Sequence, residues 1–210
     1  MKGKYVIFDL DDTLVSEIDF LKSAYYYIAA QLAKDNLYEQ MLEKYFAGED
    51  VFQFVQNEYG VLKSDLLHYY RTHEPTLTLK NGAEELLSYL KDRNYKLGLI
   101  TDGRSVSQRN KLKALGIENY FDKIIISEEF GSEKPNENNY QVFIEDSHSY
   151  FYIGDNFTKD FIAPNRLGWT TIALLDDGRN IHKQELVSDE YSAKFCVTSL
   201  LDIKDIIETI

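Results

Sequence analysis

The sequence predicts an α/β protein: a doubly wound parallel sheet with a Rossmann-like core and a small α-helical cap domain. Two observations support this fold class. Residues 80–210 alternate short apolar runs with helical patterns, which is typical of a parallel sheet covered by helices on both faces. Residues 18–72 carry their apolar side chains at helical spacing, with few strand signals. We therefore assign residues 1–14 and 80–210 to the core and residues 15–79 to the cap.

The first strand is predicted at residues 5–8, a bulky and partly β-branched run typical of a buried parallel strand. It leads into Asp9-Leu-Asp-Asp-Thr13. Asp9 and Asp11 have the same parity on an extended chain, so both can face one pocket. Carboxylates stay ionised in a core only when they are paired or metal-bound, and a divalent cation relieves their repulsion. The alternative is an Asp-rich turn, because Asp is a common turn residue.

The cap region shows four helical patterns between residues 18 and 72, and Ser64 is predicted to cap the fourth helix. Most of its many aromatic side chains are expected to pack within the bundle. The alternative is that a few line a substrate pocket that faces the first strand. The candidates for this second role are Tyr25, Tyr26, Phe52, Phe54 and Tyr69.

The rest of the core alternates strands and helices. Further strands are predicted at residues 96–101, 123–127, 150–153, 169–174 and 195–197. Helices are predicted at residues 81–94, 105–115, 161–167 and 200–207, and from Pro135 onwards. Gly116 ends the second of these helices, and Pro135 suits a first helical turn.

Composition and charge exclude several classes of protein. The formal net charge of −12 over 210 residues argues against a nucleic-acid surface, which needs basic patches, but allows a small phosphorylated substrate. No apolar run approaches the roughly 20 residues that span a bilayer, and Asp9 interrupts the apolar run that a signal peptide would need. The single cysteine, Cys196, excludes an internal disulfide and fits a reducing compartment. We expect a cytoplasmic protein with neither a nucleic-acid nor a membrane partner, and its oligomeric state stays open.

Polar residues follow four of the predicted strands. They are Asp9 and Asp11, then Thr101-Asp102-Gly103, then Lys134 in the turn before Pro135, and then Gly154-Asp155-Asn156 with Asp160. Each group alone has an ordinary explanation as a turn, a helix cap or a solvated loop charge. In parallel sheets, however, ligands bind outside the carboxyl ends of the strands. Together the four groups predict one polar site at that edge.

This set of motifs resembles the haloacid dehalogenase superfamily of phosphatases, and the resemblance covers nearly the whole chain. Asp9-Leu-Asp-Asp-Thr13 resembles the first motif of that superfamily, Asp-x-Asp-x-Thr. Thr101 matches the second motif, Lys134 before Pro135 the third, and Asp155 with Asp160 the fourth. The helical insertion is similar to the cap of the family's first subclass. The residues after Thr101 resemble its nucleotidase and sugar-phosphatase branch.

The resemblance implies a Mg²⁺-dependent phosphomonoester hydrolase that acts on a small phosphorylated metabolite, either a nucleoside monophosphate or a sugar phosphate. Asp9 would be the nucleophile and would form an aspartyl-phosphate. Asp11 would be the general acid for the leaving oxygen and then the base that activates water. Mg²⁺ would be held by the Asp9 carboxylate, the Asp11 main-chain carbonyl and Asp155.

The remaining motif residues take supporting roles in the same resemblance. Thr101, the backbone amides around Asp102 and Gly103, and Lys134 would hold the oxygens of the transferred phosphoryl group. Asp160 would orient Lys134 or a water on the metal. Thr13 would fix the turn that follows the first strand.

Two other functions remain open on this scaffold. A sugar-phosphate mutase shares Asp9 and Asp11 and differs mainly in the behaviour of its cap. A non-catalytic binding domain that kept the fold is the second alternative, because fold does not imply function. No motif residue is missing, which favours an enzyme, and the carboxylate of Asp11 disfavours dehalogenation, whose leaving halide needs no proton. The physiological phosphate ester is not identified by these residues.

Overall fold

The computed structural model describes residues 3–185 and 188–210. Its strands are β1 Gly3–Phe8, β2 Lys96–Thr101, β3 Lys123–Ile126, β4 His148–Gly154, β5 Thr170–Leu174 and β6 Phe195–Val197. They form one sheet in the order β3-β2-β1-β4-β5-β6, and every neighbouring pair is parallel. This strand order confirms the predicted doubly wound sheet.

The helices cover both faces of this sheet and form a separate group after β1. They are α1 Glu17–Leu32, α2 Leu37–Phe46, α3 Val51–Tyr59, α4 Lys63–Thr72, α5 Ala83–Asp92, α6 Ser105–Leu115, α7 Ser127–Phe130, α8 Asn138–Gln141, α9 Ile162–Arg166 and α10 Ile203–Thr209. Among the described residues, no helix combines the length and the apolar character that crossing a membrane requires.

Strand β1 is apolar throughout because both of its faces are buried. Val6 and Phe8 point into a core formed with α5, α6 and α10. Tyr5 and Ile7 point to the opposite face, into a core formed with α8 and α9. This alternation follows from the two-residue period of a strand. It places β1, with Asp9 directly after it, between two packed layers.

Helices α1–α4, the predicted helical cap, bury an apolar cluster of their own. Its fully buried members are Ile28, Leu37, Met41, Val55 and Leu66. The two chain segments that connect this group to the sheet run side by side. Lys80 donates its backbone N–H to the Leu14 carbonyl at 2.8 Å, and Val15 forms a bridge with Leu79. Both connections therefore lie next to the end of β1. The division of the chain at residues 14/15 and 79/80 remains a prediction.

Two predicted helix starts are wrong. Ser64 does not cap α4, because Leu62 has the extended backbone of an N-cap residue and its carbonyl accepts from Leu66 N–H. Pro135 does not open a helix, since the helix that follows it, α8, begins only at Asn138. The side chain of Asn136 accepts the Asn138 N–H at 3.0 Å, a local turn that competes with helical hydrogen bonding.

The predicted third strand also extends one residue too far. Strand β3 ends at Ile126, and Ser127 begins the short helix α7. The three remaining core strands after β3 lie within a few residues of their predicted positions. Such shifts at element ends follow from end fraying and do not move the residues of the site.

Candidate active site

The carboxyl ends of β1, β2 and β4 meet at one small cavity of about 70 Å³. Every residue in its described wall is polar or charged. These residues are Asp9, Asp11, Asp12, Glu17, Thr101, Asp102, Asp155, Asn156, Lys159 and His182. The structure thus brings together five of the predicted site residues, those at positions 9, 11, 101, 102 and 155. The other predicted residues, Thr13, Gly103, Lys134 and Asp160, are outside its described wall.

Lys134 lies at the base of this site between two carboxylates. Its Nζ is 2.8 Å from Asp9 Oδ1 and 2.7 Å from Asp160 Oδ1, and all three side chains are buried. Burial alone lowers the pKa of Lys134, but the carboxylates of Asp160 and Asp9 outweigh burial and raise it well above its ordinary value. Lys134 is therefore a permanent cation in contact with the predicted nucleophile.

Asp160 holds both Lys134 and the backbone after β4. Its Oδ2 accepts the backbone N–H groups of Asp155 at 3.1 Å and Asn156 at 2.8 Å, while its Oδ1 contacts Lys134. Gly154 leaves the space for this carboxylate, because a Cβ there would lie 2.5 Å from Asp160 Oδ2. The predicted orienting role of Asp160 has a clear geometric basis in these contacts.

Asp9, Asp155 and Asp160 form a compact group of carboxylates whose ligand atoms all lie within 4.8 Å of one another. Burial, opposed by Lys134, raises the pKa of Asp9 to about 7. Burial and the charges of Asp160 and Asp9 raise the pKa of Asp155 to about 9. Burial, together with the neighbouring carboxylates, therefore disfavours the charged forms of Asp9 and Asp155.

This donor set fits a Mg²⁺ ion, which prefers oxygen ligands and is held by one or two carboxylates. Asp160 already uses one oxygen for Lys134 and the other for two backbone N–H groups. Asp9 and Asp155 have fewer partners, so they are the two carboxylates that remain to bind a cation. Both were predicted as ligands from the motifs, and the structure brings them together. The third predicted ligand, the Asp11 carbonyl, remains a prediction.

Asp11 directs its carboxylate towards α6. Lys111 Nζ lies 2.6 Å from Asp11 Oδ1 and 2.8 Å from Oδ2, and Gln108 Nε2 donates to Oδ2 at 3.2 Å. Lys111 also lies 4.3 Å from the centre of the Phe20 ring, on the first helix of the cap. Neither Gln108 nor Lys111 belongs to a motif, although their spacing of three residues places both on one face of a helix.

The segment after β2 contributes unequally to the site. Thr101 Oγ1 is buried and has no hydrogen-bond partner among the described residues. Its hydroxyl is therefore available to donate a hydrogen bond to a phosphate oxygen. The carboxylate of Asp102 accepts from Lys134 N–H at 3.1 Å and pairs with Lys159 Nζ at 3.1 Å. Gly103 is outside the cavity wall, and its N–H already donates to Ser127 Oγ at 2.9 Å.

Asp12 makes the hydrogen bonds that fix the turn after β1. Its backbone is left-handed, with φ 55°. Its Oδ1 accepts Glu17 N–H at 2.8 Å, and its Oδ2 accepts Ile181 N–H at 3.0 Å. Thr13, for which this role was predicted, is buried, and its Oγ1 has no partner within residues 3–185 and 188–210. The contribution of Asp12 was not predicted.

The segment of residues 176–184, after β5, also reaches the site and was not predicted to do so. Asn180 Nδ2 donates to Asp155 Oδ2 at 3.0 Å, and Gln184 Nε2 donates to the Asp155 carbonyl at 2.8 Å. Arg179 pairs with Asp19 on α1 at 2.6 Å. This segment carries neither a motif nor a periodic pattern, so only its polar composition marks it.

Glu17 and Lys159 also line the cavity. Glu17 begins α1, and burial together with the charge of Asp11 raises its pKa to about 7. Lys159 directly precedes Asp160. Its positive charge partly opposes the rise in the pKa of Asp9 and of Glu17. Neither residue was predicted for the site. The cavity therefore has a cationic side chain near its carboxylates in addition to Lys134.

Comparison with known proteins agrees with this geometry. The sequence model of the haloacid dehalogenase-like hydrolases matches residues 6–174. A glyceraldehyde 3-phosphate phosphatase of Methanocaldococcus jannaschii is 28% identical, over 99% of this chain and 98% of that protein. The corresponding phosphatase of Methanopyrus kandleri is 28% identical over 81% of this chain and 83% of its own. The pyrimidine 5'-nucleotidase YjjG of Escherichia coli is 33% identical over 50% of this chain and 46% of its own.

Solved structures show the same fold. The hydrolase YfnB of Bacillus subtilis, determined with bound magnesium, superposes with a TM-score of 0.71 over 99% of both chains at 19% sequence identity. At that identity the comparison supports the arrangement of strands and helices, including the helices between β1 and β2.

Proposed function

Because this chain belongs to the haloacid dehalogenase-like hydrolases, as its four motifs predicted, we propose that it is a Mg²⁺-dependent phosphatase acting through an aspartyl-phosphate. The observation that carries the proposal is the position of Asp9. Its buried carboxylate contacts Lys134 at 2.8 Å and lies beside Asp155 at the cavity. A carboxylate that a cation holds beside another predicted metal ligand would be prepared for attack on phosphorus.

The reaction would proceed in two balanced steps. Asp9 attacks the phosphorus atom, a bond forms between its carboxylate oxygen and phosphorus, and the ester oxygen departs with a proton from Asp11. Water then attacks the aspartyl-phosphate, Asp11 accepts its proton, and inorganic phosphate leaves Asp9 free. Lys111 Nζ contacts both oxygens of the Asp11 carboxyl group, at 2.6 and 2.8 Å. In each turnover one of these oxygens would therefore turn to the leaving oxygen while the other stays paired with Lys111.

The remaining residues would hold the reacting groups. Asp9 and Asp155, with the Asp11 carbonyl, would bind Mg²⁺, which when bound supplies positive charge between the phosphate dianion and the carboxylates. The free hydroxyl of Thr101 and the ammonium of Lys159 would contact phosphoryl oxygens from the cavity wall. Lys134 would orient Asp9, and Asp160 would hold Lys134 in place.

The cavity favours a small sugar phosphate over a nucleoside monophosphate. Its volume of about 70 Å³ is well below the roughly 300 Å³ at which typical ligand pockets begin. No aromatic ring lies in its described wall, so nothing there would stack on a base. Among the relatives, a glyceraldehyde 3-phosphate phosphatase matches nearly the full chain, whereas the pyrimidine 5'-nucleotidase PynA of Streptococcus pneumoniae matches four fifths of it and YjjG half of it.

The test is phosphate release from purified protein with D-glyceraldehyde 3-phosphate and with uridine monophosphate, each in Mg²⁺ and in excess chelator. We expect Mg²⁺-dependent release of inorganic phosphate, with kcat/KM at least about tenfold higher for the triose phosphate, as expected when about 1.4 kcal/mol of binding differs. A folded protein that releases phosphate from neither ester would contradict the proposal. A mutase would transfer the phosphoryl group to a second sugar instead of releasing it.

A further inference from the structure

We propose that Glu17 and His182 form a subsite for the leaving group and select one that carries hydroxyl or carbonyl oxygens. This inference rests on the proposed phosphatase function. Both side chains line the active-site cavity, in which Asp9 and Asp11 also lie. Residues in this position would contact the part of the ester that departs, and so would determine which esters bind productively.

The two side chains come from different parts of the fold. Glu17 is the first residue of α1, at the start of the predicted cap, whereas His182 belongs to the segment 176–184 that follows β5. One buried carboxylate fixes the backbone of both regions. Asp12 accepts the N–H of Glu17 at 2.8 Å with one oxygen and the N–H of Ile181 at 3.0 Å with the other. These two backbone hydrogen bonds to Asp12 therefore hold the segments of Glu17 and His182 next to each other.

Two further contacts hold the segment 176–184 against the cap. Arg179 pairs with Asp19, in the first turn of α1, at 2.6 Å. The side chain of Ile181 packs against the apolar cluster of the cap. On its other side the segment contacts the reaction centre, because Asn180 donates to Asp155 at 3.0 Å. The subsite is thus positioned with respect to both the cap and the predicted metal ligands.

The distance between the two side chains suits a shared ligand oxygen. His182 Nε2 lies 3.9 Å from Glu17 Oε2, beyond the roughly 3.2 Å limit of an N–H···O hydrogen bond. Among the described residues neither side chain makes a hydrogen bond to another residue, and the pair at 3.9 Å is the salt-bridge distance that each makes. A carboxylate accepts hydrogen bonds and an imidazole can donate or accept, so both can bind one hydroxyl group between them.

This arrangement would discriminate between classes of ester. A three-carbon hydroxyaldehyde or polyol presents hydroxyl and carbonyl oxygens within a few bonds of the phosphate, where Glu17 and His182 lie. An unsubstituted phenyl leaving group offers no such oxygen and leaves both side chains unpaired, which costs binding energy. Loss of either side chain is therefore expected to change the selectivity between these two classes of ester.

The experiment compares D-glyceraldehyde 3-phosphate with phenyl phosphate in saturating Mg²⁺. The measured quantity is the ratio of kcat/KM for the two esters, determined for Glu17→Ala, His182→Ala and the double variant. We expect each single variant to lower the ratio about tenfold, mainly through a higher KM for the triose phosphate. Because the two residues would bind the same oxygen, the double variant should lose less than the product of the two single effects.

Matched controls separate this role from a general effect on folding. His68→Ala removes an exposed histidine of the cap, and Arg166→Ala removes the surface ion pair with Glu190, whose atoms are 3.1 Å apart. Neither control should change the ratio. Arg179 lies outside the cavity wall, but Arg179→Ala removes its contact with Asp19. This variant should therefore lower the ratio of kcat/KM, as the subsite variants do.

The outcomes distinguish this inference from the proposed function. A wild-type protein that hydrolyses both esters, with a ratio that stays within about twofold in Glu17→Ala and His182→Ala, would overturn the subsite and leave the phosphatase intact. An equal loss of ratio in the control variants would overturn it as well. A wild-type protein that hydrolyses neither ester would overturn both proposals together.

Discussion

Lys111 Nζ lies 2.6 Å from one carboxylate oxygen of Asp11 and 2.8 Å from the other, and the lysine side chain is buried. The two residues belong to different structural elements, the turn after β1 and the middle of α6. This ion pair fixes the direction of the proposed general acid before a substrate binds. It also connects the general acid to the cap, because Lys111 packs over the ring of Phe20 on α1.

Replacing Lys111 by Met should lower kcat about 10- to 100-fold, because Asp11 would lose the partner that orients it for proton transfer. Lys111→Arg keeps the positive charge and should retain more activity. Lys113→Met is the matched control, since Lys113 is on the same helix and pairs with Glu74 at 3.2 Å in solvent. Steady-state kinetics on one phosphate ester would measure the effect. Wild-type kcat in Lys111→Met would contradict a positioning role.

Asp160 should be important for stability as well as for the site. Asp160→Ala would leave the buried Lys134 ammonium and two backbone N–H groups short of an acceptor. We expect the free energy of unfolding to fall by about 3 to 5 kcal/mol, as for other buried ion pairs that lose one partner. Urea denaturation would measure it. Glu190→Ala, at an exposed ion pair, should change stability by less than about 0.5 kcal/mol, and an equal loss in both variants would refute the prediction.

Mg²⁺ should stabilise the protein more strongly as the pH rises. In chelator the folded protein holds protons on Asp9, with a pKa of about 7, and on Asp155, with a pKa of about 9. Because both values are raised above those of the unfolded chain, the stability that these groups contribute is greatest at acid pH and is lost as the pH rises through 7 to 9. Ion binding must displace the same protons and is favoured by high pH.

Thermal unfolding at about pH 6 and about pH 8.5, in chelator and in Mg²⁺, would check this expectation. The increase in Tm caused by Mg²⁺ should be larger at the higher pH. In Asp155→Asn, most of the increase in Tm caused by Mg²⁺ should be lost at both pH values. An increase that is equal at both pH values, or that survives in Asp155→Asn, would be inconsistent with the proposed ligands.

The aromatic side chains of the cap should act mainly on stability. Tyr25 is buried, and its ring lies 6.3 Å from Phe52 and 6.5 Å from Tyr70. We expect Tyr25→Leu to lower the free energy of unfolding by about 1 to 3 kcal/mol. Activities on several esters should be affected in parallel. Tyr26→Leu is the control, since 67% of Tyr26 is exposed.

A change in the ratio of kcat/KM between a triose phosphate and a nucleotide in Tyr25→Leu, without loss of stability, would support the other role, in which these rings read the leaving group. The structure favours the packing role, because the described wall of the cavity contains none of the candidates Tyr25, Tyr26, Phe52, Phe54 and Tyr69.

The sheet and the motif residues could be predicted because their signals are local. The apolar run of β1 must be buried on both faces, and a parallel sheet then places Asp9, Thr101 and Asp155 at one edge whatever the details of packing. The prediction of helix starts was weaker. A serine at position 64 and a proline at position 135 have the right chemistry, but the Leu62 backbone and the Asn136 side chain determine where those helices begin.

The pairings inside the site were beyond prediction for a physical reason. Asp11 and Lys111 are 100 positions apart, and Asp12 and Ile181 are 169 positions apart. Periodicity places a side chain on a face, but it does not determine which side chain from another element meets it. The segment 176–184 has no period at all, so its contacts with Asp155 and the cap depend entirely on the folded chain.

Phosphoryl transfer to Asp9 is the most direct test of the proposed mechanism. Wild-type protein, quenched in acid during turnover of an aryl phosphate with Mg²⁺, should carry one phosphoryl group, and mass spectrometry of its peptides should locate that group on Asp9. Asp9→Asn should carry none and should lose activity by a factor of about 100 or more, the scale on which key catalytic groups act. A phosphoryl group on another residue, or an Asp9→Asn variant with near wild-type turnover, would contradict the assignment of Asp9 as the nucleophile.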